Sequence, residues 1–320
     1  MRVERHSPSY SAVTTRRTTQ EYNLPLESIG ILSPGDMGHS VGAMVRRHGR
    51  RVFTCLEGRS ERTRTLAAEA GLIDAGDMQS LVRSVDAVIS IVVPSSAVGV
   101  AAEVAEAMEA TNTKLLYVDC NAIAPSSAQA AAARIVGAGG RFADVAILGG
   151  PPTESPNTRF VVSGPGASDF AELSDSGLNI RVIDGDVGAA SGLKMCFAAM
   201  SKGLQALGIE LLVTARRLGI EKELREEQLN SQKGPLSLLQ RSVPAMPTKA
   251  HRWVSEMEEI AQTFADTGFT PEIYTGVANL YRWVATTPLA EETPENRDTS
   301  RDLDGVIAGL ERAVQPPSKK

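Results

Sequence analysis

The chain has 320 residues, 42% of them hydrophobic and 22% charged, with a formal net charge of −5. That is enough for a full core and about two domains, and the slight acidity offers no basic field to nucleic acid or an anionic membrane surface, so neither is expected as a partner. No apolar run approaches the roughly 18 residues of a membrane span. The three cysteines, Cys55, Cys120 and Cys196, lack CxxC spacing and read as buried thiols of a reducing, cytoplasmic compartment, with no metal site expected.

Residues 1–27 are rich in Ser, Thr and Arg without apolar periodicity and read as an unstructured leader. Few acids stand against Arg2, Arg5, Arg16 and Arg17, which leaves a mitochondrial transit peptide open, although no amphipathic pattern supports one. From Ser28 the pattern becomes strand, glycine turn and helix. An apolar strand over 29–32 enters the turn Ser33-Pro34-Gly35-Asp36-Met37-Gly38, a helix continues through 42–48, and a second strand follows over 52–56. In a dinucleotide-binding fold such a turn holds a pyrophosphate over the helix N-terminus. Gly35 would let the phosphate approach the backbone and Gly38 would let helix pack on strand, with Ser33 where the first glycine of GxGxxG belongs. Plain packing is the other reading of the same glycines.

Further strand-like runs lie at 86–93, 114–119, 142–147, 159–163 and 180–183, with alanine-rich helical runs at 97–110 and 126–136. This alternation predicts an α/β architecture, a Rossmann-type, doubly wound parallel sheet over 28–186 followed by an all-helical domain over 187–320. Ligands on such sheets bind at the carboxyl ends of the strands, here the 33–38 turn, Glu57 to Ser60, Val93-Pro94, Asn121 and Gly149-Gly150. Glu57 could take the ribose hydroxyls of NAD, whereas Arg59 with Ser60, and Arg62 beyond, could hold the 2′-phosphate of NADP. The cluster of arginines favours NADP, with NAD still open.

The stretch 179–203 joins the two domains: a short strand, the turn Asp184-Gly185-Asp186, and one long helix over 187–218. Lys194 lies two turns into that helix among apolar neighbours. Its position near the positive end of the helix dipole and its desolvation both favour the neutral amine, as a proton donor or acceptor near neutral pH requires. A lysine that snorkels its ammonium to water is the alternative.

These segments resemble the β-hydroxyacid dehydrogenase and 6-phosphogluconate dehydrogenase superfamily from about Ile29 to Leu218. SPGDMG stands for GLGxMG, VVPSSAV for the cofactor-touching stretch after the fourth strand, DCNAIAP for DxSTxxP, ADVAILGG for DAPVSGG, and GDVGAASGLKMCFA for GxxGxGxxxKxxxN. The segment over 249–264 is similar to a subfamily of 6-phosphogluconate dehydrogenase-like proteins with its own C-terminal domain. The resemblance implies hydride transfer between a nicotinamide cofactor and a small hydroxy or carbonyl compound, with Lys194 as the catalytic lysine. It implies a cofactor site at Ser33 to Gly38, Glu57, Arg59, Ser60, Val93, Pro94 and Asn121, and a homodimer. Ala198 replaces the family's asparagine, Leu148 the serine of SGG, and Asn121-Ala122 the Ser-Thr pair. Ser201, about 20° off the Lys194 face, is the substitute for that asparagine and Lys202 the next. Substrate-facing residues are then Asn121, Ala122, Gly149, Gly150, Lys194, Ser201 and Lys202. An imine reductase and a cofactor-binding sensor without catalysis remain as alternatives.

The C-terminal helices are expected over 220–232, 249–265, 273–284 and 303–314. Trp253, Met257, Ile260 and Phe264 keep the spacing of one buried face, and Glu256 and Glu259 are expected on the solvated side.

Overall fold

The computed structural model describes residues 25–293 and 296–314; the first 24 residues of the expected leader lie outside the described residues. In chain order the first half comprises β1 (Ser28–Leu32), α1 (Asp36–Arg47), β2 (Arg51–Thr54), α2 (Glu61–Glu69), β3 (Ile73–Asp74), α3 (Met78–Ser84) and β4 (Ala87–Ser90). There follow α4 (Ala97–Thr111), β5 (Leu116–Asp119), α5 (Pro125–Gly137), β6 (Arg141–Leu148), β7 (Arg159–Ser163), α6 (Ala167–Ala171) and β8 (Asn179–Val182). The remainder is helical: α7 (Ala189–Arg217), α8 (Glu221–Ser231), α9 (Lys233–Ser242), α10 (Ala250–Asp266), α11 (Glu272–Val284) and α12 (Leu303–Ala313).

The strands form one sheet in the order β3-β2-β1-β4-β5-β6-β7-β8. Its central strands are buried on both faces, which is why they read as continuous apolar runs. Alternate residues supply the two cores: Ile29, Ile31, Ile89 and Val118 face one layer of helices, Leu32, Val88 and Tyr117 the other. The expectation of a wholly parallel sheet is corrected at β7, which runs antiparallel to β6. Only a short loop joins the two strands, and a parallel return would need a crossover of a dozen or more residues. β8 then pairs parallel to β7.

α7 is the spine of the helical part. Met195, Ala199, Ala206, Ile209 and Leu212 from α7 meet Met257 and Ile260 of α10, Tyr281 of α11 and Ile307 of α12 in a core separate from those of the sheet. By length and composition alone α7 could cross a membrane, contrary to the expectation that no stretch comes close; half of that window is buried against protein. Cys120 is buried and Cys55 half-buried, but Cys196 is exposed, because it falls on the side of α7 turned away from the helical core; the expectation of three buried thiols is corrected there.

Candidate active site

The turn between β1 and α1 divides its labour between its two glycines. A Cβ added at Gly38 would lie 2.6 Å from the Ser33 carbonyl oxygen, so a glycine is required for α1 to pack on β1. At Gly35, the N-cap of α1, an added Cβ meets nothing within 4 Å and no side chain caps the helix. The open space and the uncapped amides fit a dinucleotide phosphate. Ser33 holds φ at +60°, the left-handed region that a glycine would occupy without strain. Pro34 is buried and Met37 packs on the sheet core.

Asp36, the first residue of α1, is gripped from two directions. Arg62 of α2 pairs with one carboxylate oxygen and Arg252 of α10 with the other at 3.1 Å. Burial alone would raise the Asp36 pKa, but the hydrogen bonds and charges of the two arginines outweigh it and hold the carboxyl below its ordinary range. Beyond β2, Glu57 is exposed and Arg59 half-buried. The Ser60 hydroxyl caps α2 by accepting from the Thr63 amide at 3.3 Å, so its oxygen already has a structural duty.

At the next strand ends, Val93 is exposed and Pro94 opens a single 3₁₀ turn. Asn121, by contrast, is buried: its Oδ1 accepts from the Val92 amide at 2.7 Å, and its Nδ2 donates to Ser90 Oγ and Asp119 Oδ2 at 3.1 Å each. Its amide therefore ties the ends of β4 and β5 together and holds the Val93-Pro94 turn in place. Burial pushes the Asp119 carboxyl up to about 7, although the bonds from Asn121 pull the other way. Ala122 packs against the helical core.

The lysine-bearing helix is anchored to the sheet by a buried carboxylate. Asp144 in β6 accepts from the amides of Gly188 and Ser191 at 2.8 and 3.1 Å and from the Ser191 hydroxyl at 2.6 Å, satisfying the first turn of α7. From there α7 brings Lys194 over the end of β6, where its Nζ donates to the Ile147 carbonyl at 2.5 Å. Burial lowers the Lys194 pKa; the Glu256 carboxylate opposes that shift and the Lys202 charge adds to it. Gly149, at φ +130°, and Gly150 follow at the β6 end, the Gly150 carbonyl accepting from the Thr158 hydroxyl at 2.5 Å.

Of the two substitutes for the missing asparagine, the Ser201 hydroxyl donates only weakly, at 3.4 Å, to the Ala198 carbonyl of its own helix. Lys202 pairs with Glu256 of α10 and lies 4.9 Å from the Trp253 ring centroid. The second Glu256 oxygen, Oε1, is buried without a partner among the described residues. The expectation of a solvated Glu256 is therefore corrected. Three residues after Trp253 and four before Ile260, it falls on the apolar face of α10, where Lys202 and Lys194 hold its carboxyl below the usual range against the burial that would raise it. Glu259 is corrected too: its Oε2 accepts from the Ala124 amide at 2.7 Å and the Ser127 hydroxyl at 2.8 Å, capping α5 from α10. Sequence reasoning missed Asp144 as well, although an aspartate inside the apolar run ADVAIL was a signal. Among the described residues no cluster suits a metal ion.

A Rossmann sheet with an open phosphate cradle, faced by a lysine from a helical domain, defines the architecture of NAD(P)-binding dehydrogenases. Residues 28–175 match the NAD binding domain of 6-phosphogluconate dehydrogenase, and residues 215–284 match a domain of unknown function, DUF1932. The first match shows a 6-phosphogluconate dehydrogenase-type NAD-binding domain over just under half of the chain, and the second follows it in the helical part. An uncharacterized 28.5 kDa protein of Methanothermus fervidus is 34% identical over 175 residues, 55% of this chain and 66% of that protein, so the match spans just under two thirds of the relative. A conserved protein of unknown function, noted for structural similarity with 3-hydroxyacid dehydrogenases, superposes with a TM-score of 0.61 at 29% identity, over 81% of this chain and 96% of its own. The 3-hydroxyisobutyrate dehydrogenase of Mycobacterium tuberculosis shares the fold, with a TM-score of 0.64 at 20% identity over 89% and 99% of the two chains.

Proposed function

We propose that this chain is an oxidoreductase that prefers NADP and interconverts a small hydroxy compound and its carbonyl partner, with Lys194 as proton donor and acceptor. The observation that carries the reading is the placement of Lys194: a half-buried amine of lowered pKa, fixed at the end of β6 by its bond to the Ile147 carbonyl. A nicotinamide dinucleotide held by Ser33 to Gly38 would supply or accept the hydride. As charge builds on a carbonyl oxygen, the Lys194 ammonium stabilises it and hands over a proton; in the oxidative direction the neutral amine takes that proton. Lys202, two turns beyond Lys194 on the same helix, and its partner Glu256 would supply a donor and an acceptor in place of the family's missing asparagine. Fluorescence titration with NADPH and NADH tests the cofactor half, and binding of neither overturns the proposal.

Reduction of a C=N bond is a second reading, favoured by the Glu256 carboxylate, a buried negative charge coupled to Lys194 and Lys202 that would stabilise the positive charge of an iminium as no neutral ketone requires. Turnover with a panel of ketones, semialdehydes and cyclic imines separates the two. A homodimer is part of the same proposal. Phe197, Met200, Leu207, Leu211 and Leu218 recur at helical spacing as an exposed apolar stripe along α7, a face that a second copy would cover. Light scattering of wild type and Leu207→Glu checks it, a wild-type monomer being the contrary outcome.

A further inference from the structure

Asp36 is an odd residue to find on a phosphate cradle. Its carboxylate sits at the first position of α1, where the helix dipole and uncapped amides favour an anion, so it competes for that field with any phosphate that enters. Nor is it a bystander, since Arg62 and Arg252 hold its two oxygens from opposite sides.

Arg62 comes from the start of α2, in the arginine-bearing stretch after β2 where the adenosine ribose of a dinucleotide belongs. We infer that Asp36 is an internal stand-in for the 2′-phosphate: it occupies Arg62 while no phosphate is present and yields it to a dinucleotide that carries one. A 2′-phosphate brings a charge near −2 and three acceptor oxygens, more than the Asp36 carboxylate offers, so it displaces Asp36 from Arg62. A ribose with two free hydroxyls brings no charge and leaves Asp36 on Arg62. Asp36 therefore sets cofactor specificity from the pyrophosphate side of the site, away from the residues at the end of β2. Arg252 keeps its hold on Asp36 during the exchange and maintains the tie to the helical domain.

The inference rests on the NADP reading above and is tested by equilibrium binding, independent of any substrate. Dissociation constants for NADPH and NADH are measured by fluorescence titration at fixed ionic strength for wild type, Asp36→Asn, Arg62→Ala and the double variant. Releasing an exposed pair is expected to tighten NADPH about three- to five-fold in Asp36→Asn. NADH gains less, because it benefits only from the lost repulsion, so the NADH to NADPH ratio rises. Arg62→Ala should lower that ratio, and in its background Asp36→Asn should leave the ratio unchanged. A ratio that ignores Asp36→Asn, or one that ignores Arg62→Ala, overturns the stand-in while leaving the oxidoreductase reading intact. Binding of neither dinucleotide by the wild-type chain overturns both.

Discussion

The Glu256 carboxylate on α10 neutralises the Lys202 ammonium on α7, two helical turns beyond Lys194. Three charges thus share one partly desolvated volume, and the ionisation of Lys194 and of Glu256 depends on the charges beside each. Removing Glu256 as a charge takes away the influence that raises the Lys194 pKa and leaves the Lys202 charge uncompensated, and both effects lower Lys194 further. Glu256→Gln should therefore move the pH profile of the oxidative reaction, which needs the neutral amine, to lower pH. A profile that stays in place or moves upward contradicts the coupling.

Lys194→Ala should lose about 10²- to 10⁴-fold in turnover, the usual contribution of a positioned proton donor. The lysine lies on α7 at the end of β6 and is no part of the turn between β1 and α1, so NADPH affinity should stay within a few-fold of wild type. Equal turnover in the variant would remove Lys194 from the chemistry, and an equal loss in binding would recast it as a cofactor ligand.

Asp119 is protonated in the folded chain up to about 7 and in the unfolded chain only up to about 3.8. A folded pKa above the unfolded one contributes stability that is fully present below the lower value and is lost as pH rises through the higher. The loss attached to this residue is of order 4 kcal/mol at most. Urea denaturation at pH 4 and pH 8 should therefore show a flatter pH dependence in Asp119→Asn than in wild type. Equal slopes would mean that Asp119 ionises normally.

Glu259 of α10 caps α5, far earlier in the chain, so Glu259→Ala strands the Ala124 amide and the Ser127 hydroxyl together. A lost charged cap costs about 1–2 kcal/mol. A drop of that size in the denaturation free energy is expected, and no drop would mean that water replaces the carboxylate at no cost.

Gly38→Ala forces a methyl to within 2.6 Å of the Ser33 carbonyl, a contact only a backbone shift can relieve. Destabilisation by about 1–3 kcal/mol should follow, together with weaker binding of both dinucleotides. Ser33→Gly works in the opposite sense. It relaxes a left-handed serine and should stabilise by up to about 1 kcal/mol, since some of the relief is offset by the freer unfolded chain. The two melting temperatures, read side by side, test whether the turn is strained where its φ says it is.

Much of the frame was legible because it is local. The strand, glycine turn and helix at Ile29 to His48 follow from neighbouring residues, as do α7 and the position of Lys194 on it. What could not be read depends on partners distant in sequence. Arg252 reaches Asp36 from 216 positions away, and Glu259 reaches Ala124 across 135. Neither arrangement leaves a local pattern, and Glu259, like Glu256 with its partner Lys202, looked like solvated charge. The reversal at β7 was hidden for another reason: an apolar run such as RFVVS has the same alternation in either direction, and only the length of its connection to β6 decides.

The bond from Asp144 to the first turn of α7 has a consequence for how such a molecule diversifies. The aim of the lysine is bolted to the sheet, and on the proposed function the groups that would surround a substrate come from α10 and the later turns of α7. Those helices can be rebuilt, or the whole C-terminal module exchanged, without re-aiming the proton-transfer group. One machine can accept a new workpiece by changing the vice and leaving the spindle where it is.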